Sequence, residues 1–286
     1  MAKTYNDIYI QTRKDLRAAG IEAYSMEARL LVSSAAGKTM AQLMRDLPLY
    51  AAPGLEETVR AMTERRLAGE PVAYITGSWE FYGVPLEVSR DVLIPRPDTE
   101  VMVEAAVKLF EGRNGRPRIL DLCTGSGCVG IALAVRMPGA RVVLVDNDHK
   151  ALSLCRRNVQ LNGLDVRVMC IDADVTRKPP MLLGKFDLIT CNAPYIPTAE
   201  IETLDSSVKD YEPYQALDGG ADGLDIIRPV IALWKSVLKD RGTIMLEIGE
   251  GQSLEVQMLL TQAGFTQVGA LRDTGGTDRI IVGRLP

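Results

Sequence analysis

A chain of 286 residues exceeds one average domain and suits a helical module joined to a larger α/β domain. With 47% hydrophobic and 24% charged residues the composition is that of an ordinary soluble globular protein, and no apolar run approaches 18 residues, which argues against a membrane span. The net charge of −4 and the pI near 5.3 leave no chain-wide basic footprint for nucleic acid.

Residues 4–70 read as helices. Ile8, Ile10, Leu16 and Ala19 suggest a first apolar stripe that ends at Gly20. Ser25 is the expected cap of the next helix, which contains Ala28, Leu30, Leu31 and Val32. Pro53 and Gly54 punctuate, and residues 55–67 form a charged amphipathic helix. Without a histidine or a catalytic pattern, this region reads as a docking domain. From 71 to 95 aromatic and β-branched residues with Gly77 and Gly83 predict a β-hairpin. The expected layout is a helical docking domain over 1–72, a hairpin linker over 73–95 and an α/β domain over 96–286.

Beyond residue 101 strands and helices alternate. Strands are expected at 118–122, 141–145, 166–171, 186–191 and 243–248, with helices at 129–136, 149–161, 224–238 and 254–263. Asn162 and Gly163 close the second of these helices, while Pro229 is awkward inside the third. Repeated β-α-β units imply a doubly wound, mostly parallel sheet. The last strands, 266–271 and 279–282, have no helix between them and should pair antiparallel.

Cys123, Cys128, Cys155, Cys170 and Cys191 are odd in number and lack a Cys-x-x-Cys spacing. They are expected as buried free thiols, which fits a reducing cytoplasm, and no metal site is expected. The N-terminal stretch MAKTYNDIYIQTRKDLR has no apolar signal core.

The first α/β strand runs through Asp121 into Cys123-Thr124-Gly125-Ser126-Gly127 and then into a helix. Glycines belong where a backbone turns tightly and approaches a ligand. Residues 125–130 match G-x-G-x-x-G, a weak signal when alone. Asp121, four residues before Gly125, suits an amino-acid ammonium group and would repel a nearby pyrophosphate. Asp146 ends the second strand, where an acid accepts from both ribose hydroxyls. After the third strand, the adenine should lie beside Asp174 and Val175, with Asp172 the alternative carboxylate. His149 reads as a surface residue at a helix start.

The fourth strand delivers Asn192-Ala193-Pro194-Tyr195 at its carboxyl end, where open α/β sheets bind ligands. Methyl transfer to a planar amide or amine must aim a weak sp² nucleophile at a sulfonium methyl. The Asn192 side-chain oxygen and the Ala193 carbonyl can accept its two N–H groups and stabilise the charge that develops. Pro194 extends the residue before it, and Tyr195 offers a flat face for stacking. No base is required before attack, because the proton leaves the cationic nitrogen afterwards.

With these residues placed, the chain resembles the release-factor glutamine methyltransferases, the HemK or PrmC family, over essentially its whole length. The resemblance rests on Leu93-Ile94-Pro95-Arg96-Pro97-Asp98-Thr99-Glu100, on residues 121–127, on Asp146 and on residues 192–197. It continues through Tyr211-Glu212-Pro213, residues 216–220, Asp222-Gly223-Leu224, Glu247-Ile248-Gly249 with Gln252, and residues 273–279. It implies a Rossmann-like class I methyltransferase domain and S-adenosyl-L-methionine as cofactor. It also implies that Asn192 and Tyr195 hold the glutamine of a Gly-Gly-Gln loop in a class I peptide chain release factor. The N-terminal helices would help to dock that protein, and a monomer without stable nucleic-acid binding is expected. One departure stands out: the family motif is Asn-Pro-Pro-Tyr, and Ala193 replaces its first proline while keeping the backbone carbonyl.

Adenine-N6 methylation of nucleic acid uses the same four-residue chemistry, but the acidic pI and the match at both chain ends argue against it. A ribosomal-protein glutamine methyltransferase differs chiefly in its N-terminal region. An NAD-dependent oxidoreductase would leave residues 192–195 unexplained, and a non-catalytic binding module would keep the loop without the transfer.

Overall fold

The computed structural model describes residues 3–113 and 115–286, so the first two residues of the predicted helical domain lie outside it. Two units form, Met1–Ser78 with Ser206–Tyr211, and Trp79–Asp205 with Glu212–Pro286.

In the first unit, α1 (Tyr5–Ala18) opens with a capping box: Asp7 N–H donates to Thr4 Oγ1 and the Asp7 carboxylate accepts from Thr4 N–H. Its buried face is Tyr5, Ile8, Tyr9, Thr12 and Leu16, which corrects the predicted stripe; Ile10 is 38% exposed. Helix α2 (Tyr24–Ala35) begins before Ser25, so Ser25 is no cap and its hydroxyl meets Tyr9 Oη at 3.1 Å. Helix α3 (Met40–Asp46), capped by Thr39 and Gln42, was not separated in the sequence, and α4 (Leu55–Leu67) follows. Residues 72–76 overturn part of the hairpin expectation by forming α5 (Val72–Thr76), which Gly77 ends in a left-handed conformation. Four consecutive residues of α5 are buried, and burial on all sides outweighs the strand propensity of Val, Tyr and Ile.

The hairpin is therefore short: β1 (Ser78–Phe81) and β2 (Val84–Glu87). Tyr82 and Gly83 between them both have positive φ, as the two-residue turn of a twisted hairpin requires. After α6 (Glu100–Phe110) come β3 (Arg118–Leu122), α7 (Cys128–Arg136), β4 (Arg141–Asp146), α8 (His149–Leu161), β5 (Val168–Asp172) and β6 (Phe186–Cys191). Then follow β7 (Leu238–Glu247), α9 (Ser253–Gln262), β8 (Thr266–Arg272) and β9 (Asp278–Arg284). The sheet order is β5-β4-β3-β6-β7-β9-β8. The first five strands are parallel, and β9 runs antiparallel to both β7 and β8.

Alternate residues of the central strands enter opposite cores, Leu120 and Leu122 on one face and Ile119 on the other. The helix expected over 224–238 is not continuous. A helical turn Ile227–Pro229 passes into a π-helical turn Val230–Trp234 and a 3₁₀ turn Lys235–Val237, and Leu238 already belongs to β7. Pro229 supplies no N–H and disturbs the α register. The turns seat a fully buried Trp234, whose indole N–H donates to Val175 O at 2.9 Å.

Candidate active site

The strand order reverses between β3 and β6, which makes the carboxyl edge there the switch point where such sheets bind ligands. Register sets the residues: Leu122 lies opposite both Val145 and Cys191, and Cys191 lies opposite Leu246. Cys123, Asp146, Asn192 and Glu247 therefore leave the sheet along one edge. A cavity of about 430 Å³ opens there, within the usual range for a small-molecule site.

Asp121 is 2% exposed beneath the glycine loop. Its Oδ2 accepts from Thr124 Oγ1 and from Gly130 N–H at 3.3 Å, and its Oδ1 accepts from Thr190 Oγ1 at 2.7 Å. Burial pushes its carboxyl up to about 6 against these hydrogen bonds. A carboxylate has about four acceptor positions, so Asp121 keeps capacity for one more donor. Cys123 holds a left-handed backbone at φ 53, uncommon for a non-glycine residue. Its thiol is raised well above the usual range by the Cys191 thiol and by burial.

Two glycines of the fingerprint have separate reasons. Gly127 has φ 83, and a Cβ there would meet Cys155 Sγ at 2.8 Å and Ile131 Cδ1 at 2.9 Å. Gly130 lets α7 lie on β4, where a Cβ would meet Leu144 Cδ2 at 2.1 Å.

Asp146 Oδ2 accepts from Gly125 N–H at 2.8 Å, and Oδ1 accepts from Asp148 N–H at 3.0 Å. Burial raises its carboxyl above the ordinary value. Asp174 and Val175 line the cavity with Ala173 and Thr176. Asp174 Oδ1 takes the N–H and hydroxyl of Thr176, which lower its carboxyl. Asp172 stays outside, half-exposed beside His149 Nδ1 at 3.4 Å. All five cysteines are free, with Cys155 and Cys191 buried and the others partly so. Among the described residues no cluster of His, Cys, Asp and Glu could hold a metal ion.

Asn192 and Pro194 line the same cavity, while Ala193 is 2% exposed behind them. Asn192 Nδ2 donates to Thr99 Oγ1 at 3.4 Å, and no described group donates to its Oδ1. Tyr195 is not among the residues that line the cavity. Its ring is off the cavity wall and packs on the apolar core. Its hydroxyl donates to Glu247 Oε1 at 3.4 Å, its carbonyl accepts from Gln252 Nε2 at 2.8 Å, and burial pushes the phenol up.

The residue-level reading missed Thr99, Arg96, Glu212 and Glu247. Arg96 lines the cavity and pairs with buried Glu212 at 2.5 Å. The buried acids of a strand end look like any polar residue in a one-dimensional pattern; only the family segments at 93–100, 211–213 and 247–249 pointed to these positions.

The acceptors and the wall fit a ligand that carries an ammonium group, a ribose diol and a purine. Asp121 suits the first, Asp146 the second, and Ala173 to Thr176 form a wall for the third.

Comparison with known proteins agrees. The PrmC N-terminal domain family matches residues 7–77 and the Methyltransferase small domain family matches residues 99–206. A release factor glutamine methyltransferase of Agrobacterium fabrum is 38% identical, covering 96% of this chain and 95% of that protein. One from Geobacter sulfurreducens is 37% identical, covering 96% and 94%. The crystal structure of a methyltransferase from Pyrococcus furiosus shares the fold, with a TM-score of 0.53 at 16% identity over 78% of this chain and 98% of that one. On near full-length identity with these relatives, the chain belongs to the release factor glutamine methyltransferase family.

Proposed function

We propose that this chain transfers a methyl group from S-adenosyl-L-methionine to the side-chain amide nitrogen of the Gly-Gly-Gln glutamine of class I peptide chain release factors. The observation that carries the reading is Asn192: its amide lines the cavity beside the glycine loop, with an oxygen to which no described group donates.

Bound at Asp121, Cys123 to Gly127, Asp146, Asp174 and Val175, S-adenosylmethionine supplies an electrophilic sulfonium methyl. The chain's own residues aim the nucleophile. Asn192 Oδ1 accepts one N–H of the target amide and the Ala193 carbonyl accepts the other. Both acceptors gain strength as positive charge grows on the nitrogen, so they act most in the transition state. The methylated nitrogen then releases its proton. Tyr195, packed on the core and anchored at Glu247 and Gln252, fixes the loop that carries these two oxygens. Ala193 keeps the required carbonyl.

The helical unit is assigned to release-factor docking, which the match of its residues 7–77 to the PrmC N-terminal domain supports. The working form is taken as a cytoplasmic monomer without stable nucleic-acid binding; five free thiols suit the compartment and the net charge of −4 suits the absence of nucleic acid. Among the described residues no helix is long and apolar enough to cross a membrane. The test is mass spectrometry of a class I release factor after incubation with the protein and isotope-labelled cofactor. One labelled methyl on the Gly-Gly-Gln glutamine is expected; a factor that stays unlabelled, or labelled elsewhere, overturns the assignment.

A further inference from the structure

Two of the free thiols meet across neighbouring elements. Cys155 of α8 and Cys170 of β5 bring their sulfurs to 3.5 Å. Cys155 is fully buried, whereas Cys170 is partly exposed on the outermost strand of the sheet. Cys170 lines a groove there together with Arg156, which is exposed and makes no hydrogen bond or ion pair among the described residues.

The two sulfurs are chemically unlike. The hydrogen bond from Cys155 lowers the Cys170 thiol, burial opposes that, and the Arg156 charge adds to the lowering. The same contact, with burial, raises Cys155 well above the usual range. Cys123 and Cys128 are both raised, the first by Cys191 and burial, the second up to about 12 by burial. A thiol that oxidises readily is accessible, held toward thiolate by nearby positive charge, and followed by a second thiol that resolves it. Only Cys170 and Cys155 combine these features.

We propose that Cys170 is an oxidation site with Cys155 as its resolving partner, and that the disulfide between them loosens the cofactor loop. The oxidant is a hydroperoxide. The Cys170 thiolate attacks one peroxide oxygen, the O–O bond breaks, and the departing hydroxide takes up a proton as water. Cys170 is then a sulfenic acid. The Cys155 sulfur attacks the Cys170 sulfur, the S–O bond breaks, and that hydroxide leaves as a second water with the Cys155 proton. Two thiols lose two electrons, and the peroxide gains them. In a reducing compartment such a bond is transient, as a sensing disulfide must be.

The consequence follows from what α8 supports. Cys155 Sγ packs on Gly127, where a Cβ would meet it at 2.8 Å. One turn along, Asn158 Nδ2 donates to Ser126 O at 2.9 Å. The floor of the glycine loop is thus built from α8 with its thiols free. A covalent bond shortens the sulfur separation to about 2.05 Å. A close-packed floor answers that displacement with a loss of fit, and the loop above it carries the loss.

Parent protein, Cys170→Ser and Cys155→Ser are treated with hydrogen peroxide, desalted and mapped by non-reducing peptide mass spectrometry. The parent should show the Cys155 peptide joined to the Cys170 peptide, and dithiothreitol should separate them. Cys170→Ser should show no such link, and Cys155→Ser should hold Cys170 as a sulfenic acid that dimedone traps. If Cys155→Ser fails to fold, the parent and Cys170→Ser decide. A parent that forms no Cys155–Cys170 link, or links Cys123 to Cys191 instead, overturns the proposal. Calorimetry with S-adenosylhomocysteine then compares reduced and oxidised protein. Oxidation should weaken binding about 3- to 10-fold in the parent, dithiothreitol should restore it, and Cys170→Ser should not respond. Equal affinity in reduced and disulfide-linked parent overturns the link to the loop. A reduced parent that binds no ligand is instead a failure of the cofactor reading, and the mapping, made without ligand, still decides the oxidation site.

Discussion

Replacing Asp146 by alanine tests the cofactor site most directly. The carboxylate already accepts from Gly125 N–H at 2.8 Å and from Asp148 N–H at 3.0 Å. A carboxylate offers about four acceptor positions, so about two remain for the ribose hydroxyls. Hydrogen bonds to a charged group contribute about 1.5–3 kcal/mol each, but water fills the vacated space and recovers part of the loss. Asp146→Ala should therefore weaken S-adenosylmethionine by about 1.5–3 kcal/mol, or roughly 10- to 150-fold in Kd. Asp146→Asn keeps one acceptor oxygen and should fall between the parent and the alanine variant. The assay is isothermal titration calorimetry with S-adenosylmethionine and S-adenosylhomocysteine. Both ligands carry the ribose, so both should lose the same factor. A Kd within about threefold of the parent would mean that the acid only organises the loop. A loss confined to the sulfonium ligand would place Asp146 beside the sulfonium charge instead.

Asn192→Ala should lower kcat about 10²–10³-fold in single-turnover methyl transfer while cofactor affinity stays at the parent value. Transfer at the parent rate would remove Asn192 from the site. Ala193 makes no backbone N–H hydrogen bond among the described residues, so Ala193→Pro should keep activity equal or higher and raise stability by about 0.4–1 kcal/mol in urea unfolding. Abolished transfer would show that the loop differs from the family geometry. Asp121, held up to about 6 by burial, is neutral below that pH and then gives no carboxylate for an ammonium group. Calorimetric affinity for S-adenosylmethionine should accordingly fall as pH drops through about 6, and an affinity flat across that range would refute the pairing.

The sheet was legible because its strands are continuous apolar runs bounded by turns. The segments 118–122 and 186–191 and the helix 149–161 have the same limits in sequence and structure. The helical unit read less well. Tyr5, Tyr9 and Thr12 bury a face that an aliphatic stripe does not reveal, and α5 is a strand-like sequence turned helical by burial on all sides. Around the cavity, Asp121, the glycine loop, Asp146 and Asn192 announce themselves by their places at or just past strand ends. Thr99 and Glu247 do not, because the groups they meet, Asn192 and Tyr195, are brought to them only when β6 is folded into the sheet. Tyr195 shows the same limit: its flat ring alone does not reveal that it packs, partly buried, against the core beside Glu247.

The fingerprint over residues 125–130 is common to dinucleotide sites, yet the acids around it change what it can hold. In a phosphate-binding loop the unpaired N–H groups at a helix start point at the anion. Here two of those donors are taken. Gly125 N–H donates to Asp146, and Gly130 N–H, in the first turn of α7, donates to Asp121. A pyrophosphate would have to displace both carboxylates and sit beside their charge. An ammonium group and a neutral ribose face no such conflict, because each adds a donor to an acid with acceptor capacity left. Burial raises both carboxyls, and a cationic ligand offsets that cost. The glycines thus set only the path of the backbone, and the acids at the ends of β3 and β4 suit the same path to a cationic nucleoside rather than to a pyrophosphate.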